Sequence, residues 1–196
     1  NITDQKEVYL EKEILVVRCW DRTLFKLYPQ LTKALFKFHR VKNILFGFEF
    51  AAYGDLLTTG FLPLFMALLK LFGKNIVTVV HQVVSDLREI AVHTGIDKKK
   101  HLPIFNRLLI HYFRLLGYAS RKVVTLEPSL ADRFNLMTSS RKAISIPHGL
   151  FPKKTIDKKV AQKRLNLDSE HLYVLCFGYL SHYKGSDIIV KALKKT

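Results

Sequence analysis

Short β-branched runs alternating with stretches of helical spacing limit what this chain can fold into more than any other feature. Residues 13–20 read as a buried strand ending near Asp21, and residues 42–48 as a second strand closed by Glu49. Residues 76–80 are the clearest strand and deliver His81 to their carboxyl end; residues 121–126 and 143–146 follow, the last running into Pro147-His148-Gly149. Between them, residues 28–38 set Leu31, Ala34, Leu35 and Phe38 at helical spacing, and a helix starts at Glu127-Pro128-Ser129 and runs through Phe134. Residues 103–118 form an amphipathic helix with Ile104, Phe105, Leu108, Leu109, Tyr112, Phe113 and Leu116 on one broad face and Arg107, His111 and Arg114 on the other. Alternation of this kind, with strands apolar on both sides, predicts an α/β fold: a mostly parallel sheet with helices on both faces.

Residues 56–72 are apolar enough to suggest a membrane span. Asp55, Gly60, Pro63 and Lys70 interrupt them, and no unbroken run reaches the roughly 18 residues a span needs, so a buried helix packed on the sheet is expected. Residues 85–101 read as a surface loop with a short helix. Past residue 150 the pattern changes. Pro152 and a lysine-rich run to residue 159 suit a linker, residues 160–165 a charged helix, and residues 172–177 a new strand closing on Gly178 before a helix from Ser186. The expected organisation is a first domain over 1–150, a linker and charged helix over 151–171, and the start of a second domain over 172–196. The sequence opens on Asn1 without a cationic, apolar leader and stops at Thr196 inside a helix-like stretch, and it reads as a fragment lacking both ends.

Composition narrows the function classes. With 196 residues, 48% apolar and 24% charged, the chain is long and apolar enough to bury a core, which excludes a disordered or fibrous protein. Cys19 and Cys176 lie far apart, neither near a ligand-spaced histidine, which argues against a disulfide scaffold and for a reduced, cytoplasmic compartment. The 32 Lys and Arg against 16 Asp and Glu leave a net charge of +16, which favours an anionic partner. The helix at 103–118, preceded by Lys98, Lys99 and Lys100, leaves three readings open. Its stripe with Arg107 and Arg114 is the solvated back of a core helix, a contact with anionic lipid, or a nucleic-acid contact; recognisable nucleic-acid modules are missing, and no nucleic-acid partner is expected.

Residues 177–193 carry the most specific pattern. A strand ends at Gly178, a short loop holds His182 and Lys184, and Gly185 turns the chain into a helix. Unpaired N–H groups and the dipole at such a helix start attract phosphate, and a lysine beside them adds a full charge. On this physics alone a solvated lysine in a loop is the commoner outcome.

The segment Phe177-Gly-Tyr-Leu, Lys184-Gly185 and Ala192-Leu193 resembles the one that opens the nucleotide-sugar domain of family 4 glycosyltransferases, which have the two-domain GT-B fold of Rossmann-like lobes. Val77-Thr-Val-Val-His81 resembles that family's strand ending in a cleft histidine. Ile144-Ser-Ile-Pro-His-Gly149 is similar to the segment before its linker, and Lys42 to Glu49 to a strand followed by an acid. The likeness runs over most of residues 40–196. It implies that Lys184, with Gly178 and Gly185, binds the donor diphosphate and stabilises it as it leaves. Many members have a basic residue where this chain has Tyr179, so a second phosphate clamp is in doubt, and His182 compensates only in part.

The same resemblance makes His81 the candidate catalytic residue, touching donor sugar or acceptor, although a lone histidine at a strand end is more often structural. His148 lies in a turn joining the domains, where a structural role is the commoner one, and Glu49 follows a strand, where it approaches the acceptor or simply pairs with a nearby cation; both are candidates for the cleft or the acceptor. Glu127 has the alternative of a plain helix start. The implied activity is sugar transfer, with retention of configuration, from a nucleotide diphosphate sugar to a glycan or lipid-linked hydroxyl. Neither a cofactor nor a catalytic metal is implied, and a peripheral position on the inner membrane face is compatible with lipid-linked acceptors. The family's glutamate motif would lie past Thr196, so the fragment by itself is expected to be inactive. Two rival readings are a non-catalytic basic module that binds membrane or nucleic acid, and a nucleotide-sugar epimerase of the same architecture.

Overall fold

A computed structural model describes residues 7–21, 23–50, 52–90, 102–149, 155–168, 170–175 and 185–193. The elements are β1 (Glu7–Glu11), β2 (Ile14–Arg18), α1 (Leu24–Lys37), β3 (Asn43–Phe48), α2 (Leu56–Gly60), α3 (Leu62–Leu71), β4 (Asn75–Val80), a 3-10 turn (Leu87–Ile90), α4 (Leu102–Ala119), β5 (Lys122–Thr125), α5 (Pro128–Thr138), β6 (Ala143–Ser145), α6 (Lys158–Arg164) and α7 (Ser186–Leu193). The chain divides into two compact units, Asn1–Gly149 and Leu150–Thr196.

In the first unit β3, β4, β5 and β6 pair in that order as a four-stranded parallel sheet, with Phe48 opposite Val80, Val80 opposite Thr125, and Thr125 opposite Ser145. The expected parallel, Rossmann-like α/β architecture is therefore present. Each crossover moves one strand in the same direction, and right-handed crossovers then put α3, α4 and α5 on one side of the sheet. Burial follows: Phe48, Ile76, Thr78, Val80, Val123, Thr125 and Ala143 are buried, whereas Leu45 and Ile144, whose side chains alternate to the other side, are exposed.

Aromatic rings hold the helical layer to the sheet. Phe113 of α4 meets Phe48 of β3 and Phe134 of α5 edge to face, with centroids 6.3 and 5.9 Å apart. All three are fully buried, each burial worth about 1.5–3 kcal/mol. The absence of a side chain at Gly117 lets α4 approach this ring: a Cβ there would lie 3.2 Å from the Phe134 Cζ. The carboxyl end of α4 is held by cations. Lys142 Nζ donates to the carbonyls of Gly117 and Ser120 at 2.8 and 2.9 Å, and Lys70 Nζ to that of Tyr118 at 2.6 Å. Burial, and then the neighbouring Lys70 charge, push the Lys142 ammonium below its ordinary pKa.

Three expectations about the first unit need correction. The run at 13–20 is no buried strand of the main sheet: β2 forms an antiparallel hairpin with β1, and Ile14 and Leu15 are exposed. Lys12 takes a left-handed turn conformation, φ 56°, and the hairpin finds its ladder partner in the preceding residues, leaving the main sheet to β3–β6. Residues 56–72 are two helices, not one. Asp55 caps α2 by accepting from the Thr58 N–H at 2.7 Å, and the helix stops at Phe61, ahead of Pro63. On α4 the apolar face is wider than its contacts: Leu109, Phe113 and Leu116 are buried, but Ile104 and Leu108 face out.

In the second unit Asp157 caps α6, its carboxylate accepting from the N–H groups of Lys159 and Val160. Residues 172–175, expected to begin a strand, carry no strand pairing and are exposed. A strand needs a ladder neighbour, and the described residues of this unit provide none.

Candidate functional site

Because the sheet is parallel, the carboxyl ends of its strands open along one edge, where ligands of doubly wound folds bind. β3 delivers Glu49 there and β4 delivers His81. The ladder continues one step past the strands, since the His81 N–H donates to the Phe48 carbonyl at 3.2 Å, so Glu49 and His81 leave the sheet side by side. β6 likewise extends its pairing, with the Ile146 N–H donating to the Thr125 carbonyl at 2.9 Å, before Pro147 and His148.

The consequence is a pair of imidazoles. His81 and His148 have ring centroids 6.4 Å apart and planes inclined by 43°, and both side chains are exposed. Imidazole nitrogens donate or accept hydrogen bonds according to tautomer and charge, so two rings on an open edge suit a hydroxyl-rich or anionic ligand. Glu49 is exposed at the same edge. Glu127 occupies the N-cap position of α5 without a capping bond from its side chain, and its carbonyl accepts from Thr125 Oγ1 at 2.9 Å. That is the helix-start role.

The loop behind His81 is anchored. Val83 and Val84 turn back into the core, Arg133 of α5 donates from Nη1 to the Val83 carbonyl at 3.0 Å, and Asn106 of α4 accepts from the Leu87 N–H at 2.9 Å. The side-chain and backbone hydrogen bonds of Arg88 hold the Asp86 carboxyl far below the usual carboxylate range. On the other flank, the Tyr53 hydroxyl donates to the Gly47 carbonyl of β3 at 2.8 Å while its ring stacks on Trp20, centroids 5.4 Å apart. Sequence reasoning missed Asn106, Arg133, Trp20 and Tyr53. No short motif marks them, and their roles depend on contacts between distant elements.

The remaining candidates fall elsewhere. Gly185 has φ +71° and turns the chain into α7, its carbonyl accepting from the Ile188 and Ile189 N–H groups at 3.0 and 3.2 Å. In the first turn of α7 stands Asp187, paired with Lys191 at 3.1 Å. Gly178, His182 and Lys184 lie outside the described residues, as do Lys98, Lys99 and Lys100. Arg107 and Arg114 are exposed on α4. Among the described residues no helix is long and apolar enough to cross a membrane.

No family model, no curated protein and no solved structure matches this chain.

Proposed function

We propose that this chain is part of a retaining glycosyltransferase that moves a sugar from a nucleotide diphosphate sugar to a hydroxyl of a glycan or lipid-linked acceptor. The observation that carries the reading is the facing pair His81 and His148 on the carboxyl edge of a parallel sheet, 6.4 Å between ring centroids. A sugar offers hydroxyls at the spacing two imidazoles can engage, and this edge is where an α/β sheet takes ligands.

In the proposed reaction the bond from the anomeric carbon to the diphosphate oxygen breaks, its electron pair staying with the diphosphate. The acceptor hydroxyl forms the new bond on the same face and passes its proton to the departing diphosphate oxygen. Lys184 neutralises the charge that grows on the leaving diphosphate, with Gly178 and Gly185 letting the backbone come close. His81 hydrogen-bonds a hydroxyl of the donor sugar or the acceptor, His148 supports it, and Glu49 meets the acceptor. His182 adds a donor in the Lys184 loop. No cofactor takes part beyond the nucleotide sugar. The reading assigns the protein to the cytoplasm, in keeping with its two separated cysteines.

Calorimetric titration with UDP- and GDP-sugars of the completed protein, this chain together with the rest of the proposed donor-side domain, tests this. Binding of one donor, weakened roughly tenfold by Lys184→Ala through loss of a charge-assisted contact, is the expected result. Absence of binding to any donor, or an unchanged affinity in the variant, contradicts it.

A further inference from the structure

The outward side of the helical layer is built unlike an ordinary solvated surface. α3 and α4 pack against one another. Their inner halves are buried through Leu62, Met66, Phe113 and Leu116, but Leu64 and Leu68 of α3 are 48% and 47% exposed, and Ile104 and Leu108 of α4 are 63% and 57% exposed. A groove of about 410 Å³ lies along α4, walled by Phe105, Leu108 and Leu115 of that helix and, opposite, by Leu56 and Gly60 of α2 and Pro63 at the start of α3.

Beside this apolar strip lies a cationic one. On α4 Ile104, Leu108 and Leu115 recur at spacings of four and seven and form one stripe; Arg107, His111 and Arg114 recur at spacings of four and three and form the next. Arg107, His111 and Arg114 are all exposed. Neither residues 56–72 nor residues 102–119 contain a single Asp or Glu. Apolar and cationic strips running along one helix axis match the layering of an anionic bilayer, whose hydrocarbon boundary and phosphate plane are parallel and adjacent. The charge is of one sign only, which complements such a surface.

We propose that the outward face of α3 and α4 seats on an anionic bilayer, with Leu64, Leu68, Ile104 and Leu108 entering the hydrocarbon boundary and Arg107 and Arg114 meeting head-group phosphates. The groove then admits part of a lipid chain. Phe50, next in sequence to Glu49, is among its lining residues, so on the transferase reading the groove would hold a lipid-linked acceptor near the sheet edge. The docking itself does not depend on that reading.

Co-sedimentation of the chain with phosphatidylcholine vesicles, with and without a minority of phosphatidylglycerol, tests the proposal at low and at physiological salt. Binding to the anionic vesicles is expected, falling roughly tenfold on neutral vesicles and in the pairs Arg107→Glu/Arg114→Glu and Ile104→Asp/Leu108→Asp. Circular dichroism checks that the variants fold; should the aspartates unfold the chain, Ile104→Ser/Leu108→Ser reads the same surface. No binding to anionic vesicles, equal binding to neutral ones, or folded variants that bind undiminished overturns the proposal. Nucleotide sugar is absent from this assay, so it fails separately from the donor titration.

Discussion

Tyr112 of α4 donates its hydroxyl to the Thr59 carbonyl at 3.2 Å, where α2 stops and α3 begins. In an unbroken helix residue 63 would give that carbonyl an N–H, but Pro63 has none. Tyr28 of α1 acts in parallel on the Thr58 carbonyl. Distant side chains thus support a helix that its own sequence interrupts. Tyr112→Phe keeps the ring contacts with Phe48 and Phe50 and removes only the hydroxyl. It is expected to lower the unfolding free energy by about 1 kcal/mol in urea titrations. An unaltered midpoint would show that the backbone N–H which the Thr59 carbonyl also accepts at the end of α2 is enough to satisfy it.

How far the fold could be foreseen depends on where each pairing is encoded. β3–β6 fall within two residues of the expected strands, because runs such as Ile76-Val-Thr-Val-Val80 carry their strand signal locally. The hairpin escaped notice because its turn, Lys12-Glu13, lacks the Asn-Gly or Asp-Gly chemistry that announces one. Leu172 to Leu175 have strand composition without a ladder, and composition alone cannot supply the neighbour. His81, His148 and Glu49 were visible as strand-end residues. The meeting of the two rings was not, since it follows from the order of strands and their register.

Three tyrosines make the fold sensitive to alkali. Burial pushes the Tyr53 hydroxyl up to about 12, and burial is also the main cause raising Tyr28 and Tyr112, with the neighbouring tyrosine hydroxyls adding to it. Unfolded tyrosine loses its proton near pH 10, so above that pH the unfolded chain holds fewer protons than the folded one and stability falls. The contribution is complete below pH 10 and declines as pH rises through about 12, where Tyr53 itself titrates. The melting temperature is expected to drop steeply above pH 10, with tyrosinate absorbance rising together with loss of helical circular dichroism. Full ionisation of a still-folded chain near pH 10 would contradict this.

Arg133 reaches from α5 to the Val83 carbonyl and ties down the loop behind His81. Arg133→Ala is expected to speed amide hydrogen exchange through residues 83–87 while costing only about 1 kcal/mol of global stability, the arginine being largely exposed. Exchange rates equal to those of the parent chain would assign the loop's order to Asn106 instead.

The carboxyl edge of the sheet as the meeting point of donor sugar and acceptor is tested most directly by imidazole NMR of the completed protein during titration with a nucleotide diphosphate sugar. The His81 and His148 resonances are predicted to shift with donor concentration. Those of His39, which precedes β3 at the opposite end of the strands, are predicted to stay still. Unmoved His81 and His148 signals under saturating donor, or shifts of equal size at His39, would contradict the account.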